Sequence, residues 1–122
     1  MRALVTVTML GLLAAGAVQA DCVAPDPGAP VPDGSTATRE QMVAASKATR
    51  AFDAAVQAYG DCLKQEQDAK VAAAGGDKMK PDAKAKLANE YAQRYNVQVD
   101  KLHAMADKFN EALKAYKAKN PS

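Results

Sequence analysis

Between Thr38 and Lys119 proline occurs once, at Pro81, and paired glycines occur once, at Gly75-Gly76. Proline removes a helix hydrogen bond, and glycine costs about 1 kcal/mol relative to alanine inside a helix. These few positions therefore divide the segment into two long stretches that favour helix, joined by a short loop. From residue 21 onward the chain has only four leucines (Leu63, Leu87, Leu102, Leu113) and no isoleucine. A buried parallel sheet rich in branched aliphatics is thereby excluded. The hydrophobic fraction of 48% comes largely from alanine, which buries little surface per side chain but is the best helix former. With 122 residues there is room for one domain. The composition predicts a thin, all-α assembly.

The first stretch opens on Thr38 with Gln41 three residues later, a capping-box pattern, and Glu40 suits the positive first turn. Met42, Ala45, Thr49, Phe52, Val56, Tyr59 and Leu63 then recur at three- and four-residue spacing, one largely apolar stripe that runs through Gly60. A first helix is expected over about 38–73. Pro81 is suited to a first helical position. From there Leu87, Tyr91, Tyr95, Gln98, Leu102, Met105, Phe109, Ala112 and Tyr116 form a second stripe, and a helix is expected over about 81–119. Tyr95-Asn96-Val97-Gln98-Val99 alternates like a strand and marks a weak spot in it. Two such helices joined by a Gly-Gly loop fold back most easily as an antiparallel hairpin spanning 38–120. Reflecting one stripe on the other sets Leu63 near Tyr91, Tyr59 near Tyr95, Val56 near Gln98, Phe52 near Leu102 and Ala45 near Phe109.

Residues 1–20 read as an export signal. Met1-Arg2 is a short basic start, an apolar run follows from Ala3 to Val18, and Val18-Gln19-Ala20 suits a signal peptidase, with cleavage between Ala20 and Asp21. The run is short for a membrane span, so no span is expected in the mature chain. Bacterial lipoprotein processing at Cys22 would need a small residue where Asp21 stands. Removing residues 1–20 takes the formal charge from +2 to +1, since only Arg2 is lost. That near-neutral balance lacks the basic stripe that nucleic-acid binding requires. The expected compartment is the periplasm.

Cys22 and Cys62 are the two cysteines, and in an oxidising compartment they are expected to bond to each other, with an intermolecular bridge as the alternative. The arm, residues 21–37, carries Cys22 and then Pro25, Pro27, Pro30 and Pro32, and its Pro-rich stretch closes with the Pro32-Asp33-Gly34 turn signal. Cys62 lies ~36 Å along the first helix from its start. A random coil of the intervening arm averages ~20–24 Å end to end, whereas polyproline II reaches ~50 Å. A clipped arm must then run extended and antiparallel along the first helix.

Candidates for chemistry are sparse. His103 is the single histidine, with Asp100 and Asp107 on its flank, too few nitrogen or sulfur ligands for a metal site. Asp107 and Glu111 share a helical face, but nothing in the pattern builds the pocket that acid–base work by paired carboxylates needs. No Gly-rich phosphate loop is present, because Gly75-Gly76 leads into Asp77-Lys78-Met79. No catalytic, metal or cofactor-binding residue is therefore expected, and the reading is non-enzymatic. Tyr59, Tyr91, Tyr95 and Tyr116 have two readings: an interaction surface, since tyrosine is favoured at interfaces, or core filler with hydroxyls reaching solvent.

Several short motifs carry a resemblance: Pro32-Asp33-Gly34, then Ala37, Met42 and Phe52, then Tyr59-Gly60-Asp61-Cys62-Leu63. In the second helix they are Val99-Asp100, Met105-Ala106, and Phe109-Asn110 followed after five residues by Tyr116-Lys117. With these the chain resembles small exported helical-hairpin proteins of Gram-negative bacteria. The resemblance implies an envelope protein with a cysteine pair, and it carries over no catalytic or binding residue.

Two roles are compatible with these residues. One is a non-catalytic helical interaction module of the periplasm, binding an envelope protein or itself through an exposed helix face. The other is a binder of an envelope polymer or an anionic lipid surface, through the lysines near the C-terminus (Lys108, Lys114, Lys117, Lys119).

Overall fold

The computed structural model describes residues 21–122. The expected signal segment, with Ala20 on its side of the cleavage site, lies outside the described residues. The described residues form an all-α antiparallel hairpin with a preceding arm and no strand. Helix α1 spans Arg39–Ala73 and helix α2 spans Pro81–Lys119. A single 3-10 turn at Gly76–Lys78 lies between them.

The ends of the helices have local causes. Thr38 accepts a hydrogen bond from the Gln41 amide at 3.1 Å, and the Gln41 side chain accepts one from the Thr38 amide at 2.8 Å, a complete capping box. At the far end the Ala74 amide donates to the Lys70 carbonyl, and Gly75 and Gly76 take φ of +105° and +58°. Those left-handed values reverse the chain at positions where a Cβ would be strained. Helix α2 starts on Pro81, whose missing amide hydrogen costs nothing in a first turn.

The seam is a heptad seam. Buried residues of α1 are Met42, Ala45, Phe52, Val56, Tyr59 and Leu63. Written as heptads with Met42 at a, they occupy a and d. Buried residues of α2 are Tyr91, Gln98, Met105 and Ala112, every seventh residue, a single d column. One cluster joins Tyr59, Leu63 and Tyr91 with Cys22, and Leu87 and Tyr95 pack on it. A second joins Phe52, Val56 and Met105, with Val31, Ala48, Tyr95, Val99 and Leu102 packed on it. Leu63 thus meets Tyr91, and Phe52 meets Leu102, as the reflected stripes require. The alternating stretch Tyr95–Val99 is helical throughout, with Gln98 buried and Val97 51% exposed. Its seam residues are spaced for a helix, and packing overrides the strand propensity of single residues.

The arm lies on one flank of this seam. Cys22 is bonded to Cys62, with their Cα atoms 5.8 Å apart. Val31 packs on the Phe52–Met105 cluster, and Pro30 to Pro32 border Ala44, Ala45, Ala48 and Met105. Gly34 is buried against the main chain of Ala112 in α2, where a Cβ would overlap the Ala112 carbonyl. The arm therefore touches both helices and not α1 alone. The g positions beside it on α1 include Ala48, Ala55 and Cys62, small enough to admit a third layer. Gly28, at φ +76°, departs from the φ near −75° of polyproline II, so a continuous run of that conformation is broken there. The turn that follows is built by Asp33, whose Oδ1 accepts from the Ser35 amide at 2.9 Å and the Ser35 hydroxyl at 2.7 Å.

Candidate functional site

Two places stand out: a clasp of polar groups around Cys22, and a row of half-buried apolar side chains on the flank of the hairpin opposite the arm.

The clasp arises because the 3-4 repeat of α1 continues past Leu63 with polar residues. Glu66 falls at d and Lys70 at a, so both reach the end of the seam where Tyr91 lies. The Glu66 carboxylate accepts from the Tyr91 hydroxyl at 2.6 Å and from the Cys22 amide at 3.4 Å. Lys70 and Arg94 approach it at 3.3 and 3.5 Å. Arg94 also donates to the Cys22 carbonyl at 3.3 Å. Both Lys70 and Arg94 lie over the Tyr91 ring, at 5.3 and 5.1 Å from its centroid. The main chain of Cys22 is thus held at its amide by a carboxylate and at its carbonyl by a guanidinium, beside its covalent bond to Cys62.

These donors hold the Glu66 carboxyl at about 2, well below its ordinary value of 4.5, with the Tyr91 hydroxyl as the largest cause. The Cys22 amide, Lys70 and Arg94 act in the same direction, against the penalty of partial burial. Arg94 is held still more firmly protonated, first by the neighbouring Tyr59 hydroxyl. The arrangement fixes the arm. Its one carboxylate is engaged by four donors, and its cations face that carboxylate and the Tyr91 ring.

The four tyrosines occupy different environments. Tyr59 and Tyr91 are buried, at 6% and 4% exposure, within the Cys22–Leu63 cluster. Tyr95 and Tyr116 are half-buried. Tyr95 lies over Gly60, where a Cβ would come within 2.7 Å of the ring, and this explains a glycine inside α1. Beyond Tyr95, the a column of α2 continues through Leu102, Phe109 and Tyr116, and the e column through Val99, Ala106 and Leu113, all half-exposed. The described arm residues border Ala44, Ala45 and Ala48 of α1 and Lys108, Glu111 and Ala115 of α2, whereas the groove at Gly60 and Tyr95 is lined by the two helices alone. His103, Asp100 and Asp107 are exposed on α2, and among the described residues no group of three or more His, Cys, Asp or Glu is arranged to hold a metal ion. The Gln98 side-chain oxygen is buried in the hairpin with no hydrogen-bond partner among the described residues. A polar group at such a seam position costs stability and opposes a slipped register.

The sequence reading did not single out the clasp. Its signal was present as Glu66 and Lys70 at seam positions where the repeat otherwise places apolar residues. The open flank was legible only in part, since its exposure depends on which side the arm takes. No helix among the described residues is long and apolar enough to cross a membrane. Compared with protein-family models, with curated proteins and with solved structures, the chain matches none of them.

Proposed function

We propose that the protein is a non-catalytic helical interaction module of the periplasm, exported with residues 1–20 removed, that binds through the flank of α2 opposite the arm. The observation that carries this reading is the row Leu102, Phe109, Leu113 and Tyr116, half-buried along one flank of α2, with Leu102 at its inner edge packed on the Phe52–Met105 cluster. Large apolar side chains aligned along one helix flank are costly in water and favour a partner. The Cys22–Cys62 bond supports an oxidising compartment.

The test is site-specific photo-cross-linking in the intact envelope, with the reactive side chain at Phe109 and, as a control, at Lys47 on the outer face of α1. An adduct from Phe109 and none from Lys47 is expected. Failure to form any adduct from Phe109 overturns the reading. Uniform labelling of purified envelope polymer or lipid from both positions favours the polymer or lipid surface instead.

A further inference from the structure

A helix with one partner needs an apolar stripe at a and d, whereas a helix inside a bundle carries a third apolar column at e or g. Helix α2 carries three: d buried on α1, and a and e half-exposed. Next to e lies column b, which reads Asp82, Asn89, Asn96, His103, Asn110, Lys117. Its four middle members are three asparagines and a histidine, with no carboxylate, lysine or arginine among them, and its two ends are opposite in sign. Depletion of charge toward the centre is the compositional mark of an interface.

Resting on the reading of this flank as an interaction surface, we infer that the partner is a second copy of this chain, with α2 packed antiparallel on α2 about a two-fold axis beside Val99. The argument is self-complementarity, which a two-fold interface demands. Reversed end to end, column b sets Asp82 beside the second copy's Lys117, Asn89 beside its Asn110 and Asn96 beside its His103. The same superposition sets the large Phe109 of column a beside the second copy's small Ala88, and Tyr95 beside its Leu102. In column e it brings Val99 onto its own counterpart. All three columns then centre within one residue of Val99, as heptad spacing requires of any single antiparallel register, so the charges at the ends of column b choose the register. A parallel pairing would stack Asp82 on Asp82 and Lys117 on Lys117. The next antiparallel register would set Lys117 beside Asn89 and leave Asp82 without its cation. The product is a four-helix bundle with the two Pro-rich arms on its outer flanks.

Sedimentation equilibrium on the disulfide-intact protein, from roughly 1 to 200 µM, reads the association directly. Twice the monomer mass is expected in the upper part of that range. Val99→Glu, which sets two carboxylates together at the axis, is expected to weaken the dimer by roughly tenfold or more. Because Val99 also touches the Phe52–Met105 cluster, helix content by circular dichroism accompanies that variant. The exposed pair supplies a test free of folding effects. Lys117→Glu weakens association roughly threefold, and adding Asp82→Lys restores it. A monomer throughout, or a dimer that the charge exchange leaves unmoved, overturns the inference. A monomer that still forms a heterologous adduct from Phe109 leaves the interaction module standing without self-association, and a monomer with no adduct removes both.

Discussion

On one flank of the α1–α2 seam Gly34 lies so close to Ala112 that a methyl group does not fit, and Cys22 is bonded to Cys62. On the other flank Tyr95 lies over Gly60, with Leu102, Phe109 and Tyr116 half-exposed beyond it. The first flank is closed by main chain against main chain and the second by a movable ring. Both use a glycine for close approach, but what approaches differs. Backbone contact tolerates almost no displacement, whereas the far end of a side chain can swing aside. The covered flank therefore sets the stability of the molecule, and the uncovered one is free to engage a partner.

The largest effect belongs to the covalent end of the covered flank. The disulfide closes a loop with a sequence separation of 40, worth about 4 kcal/mol by the chain-entropy argument and commonly less in practice. Reduction, or Cys62→Ser, is expected to lower the melting temperature markedly and to expose residues 23–34 to proteolysis, while helix content stays nearly intact. Thermal denaturation followed by circular dichroism, with limited proteolysis of the reduced protein, checks this. An arm that stays protease-resistant after reduction would show that its noncovalent contacts suffice.

The next effect belongs to the opposite end of the arm. In Gly34→Ala the new methyl group meets the Ala112 carbonyl, and neither main chain yields without moving the arm or α2. A loss of roughly 1–3 kcal/mol is expected, the range for overpacking. Denaturant titration of the disulfide-intact variant measures it. The bridge at Cys22 remains in this variant, so Gly34→Ala isolates the steric anchor from the covalent one.

How much of this was legible in the residues follows from range. Thr38, Gln41, Gly75, Gly76 and Pro81 act on their own neighbours, and the helix ends could be read from them. The seam was legible because its period is local: Phe52, Val56, Tyr59 and Leu63 repeat within one helix, as do Tyr91, Gln98 and Met105. The side of the seam that the arm takes is a tertiary choice. It depends on Cys62 standing at a g position beside the small Ala48 and Ala55, and on Gly34 meeting a main chain 78 residues away in sequence. The clasp is of the same kind, since Glu66, Tyr91, Arg94 and the Cys22 main chain converge only once the hairpin and the bridge have formed.

A smaller effect tests the clasp through pH. The folded Glu66 carboxyl titrates at about 2, against an ordinary value of 4.5. A depressed carboxyl contributes stability that is present above the unfolded value and is lost as pH falls through the folded one. Stability is therefore expected to decline between about pH 4.5 and pH 2. Glu66→Gln should lower stability at pH 7 by roughly 1–2 kcal/mol and flatten that part of the acid profile, leaving Arg94 its bond to the Cys22 carbonyl. Melting temperatures of both proteins from pH 7 to pH 2 give the comparison. An unchanged acid slope in the variant would place the titrating carboxylate elsewhere, with Asp33 the alternative, since its bonds to Ser35 also lower its pKa.

The smallest effect is expected at the glycine of the open flank. In Gly60→Ala two terms of similar size oppose each other. Alanine at a helix interior is favoured over glycine by about 1 kcal/mol. Against this, the new Cβ comes within 2.7 Å of Tyr95 Cε2 and 3.2 Å of Cδ2, so the ring must turn away from α1. The ring can do so, because Tyr95 is half-buried beside an open groove lined by residues of α1 and α2 alone. Its contacts with both core clusters are then loosened, a loss comparable to the gain in helix propensity. The net change should stay within about 1 kcal/mol of zero, in contrast to the same methyl group at Gly34. Tyrosine fluorescence and near-ultraviolet circular dichroism would report the displaced ring, and denaturant titration the small net stability. The displaced ring also alters the surface offered at Leu102 of a second copy, so dimerisation should weaken even where folding does not. A Gly60→Ala protein as destabilised as Gly34→Ala would mean that Tyr95 cannot move and that the open flank is as rigid as the covered one.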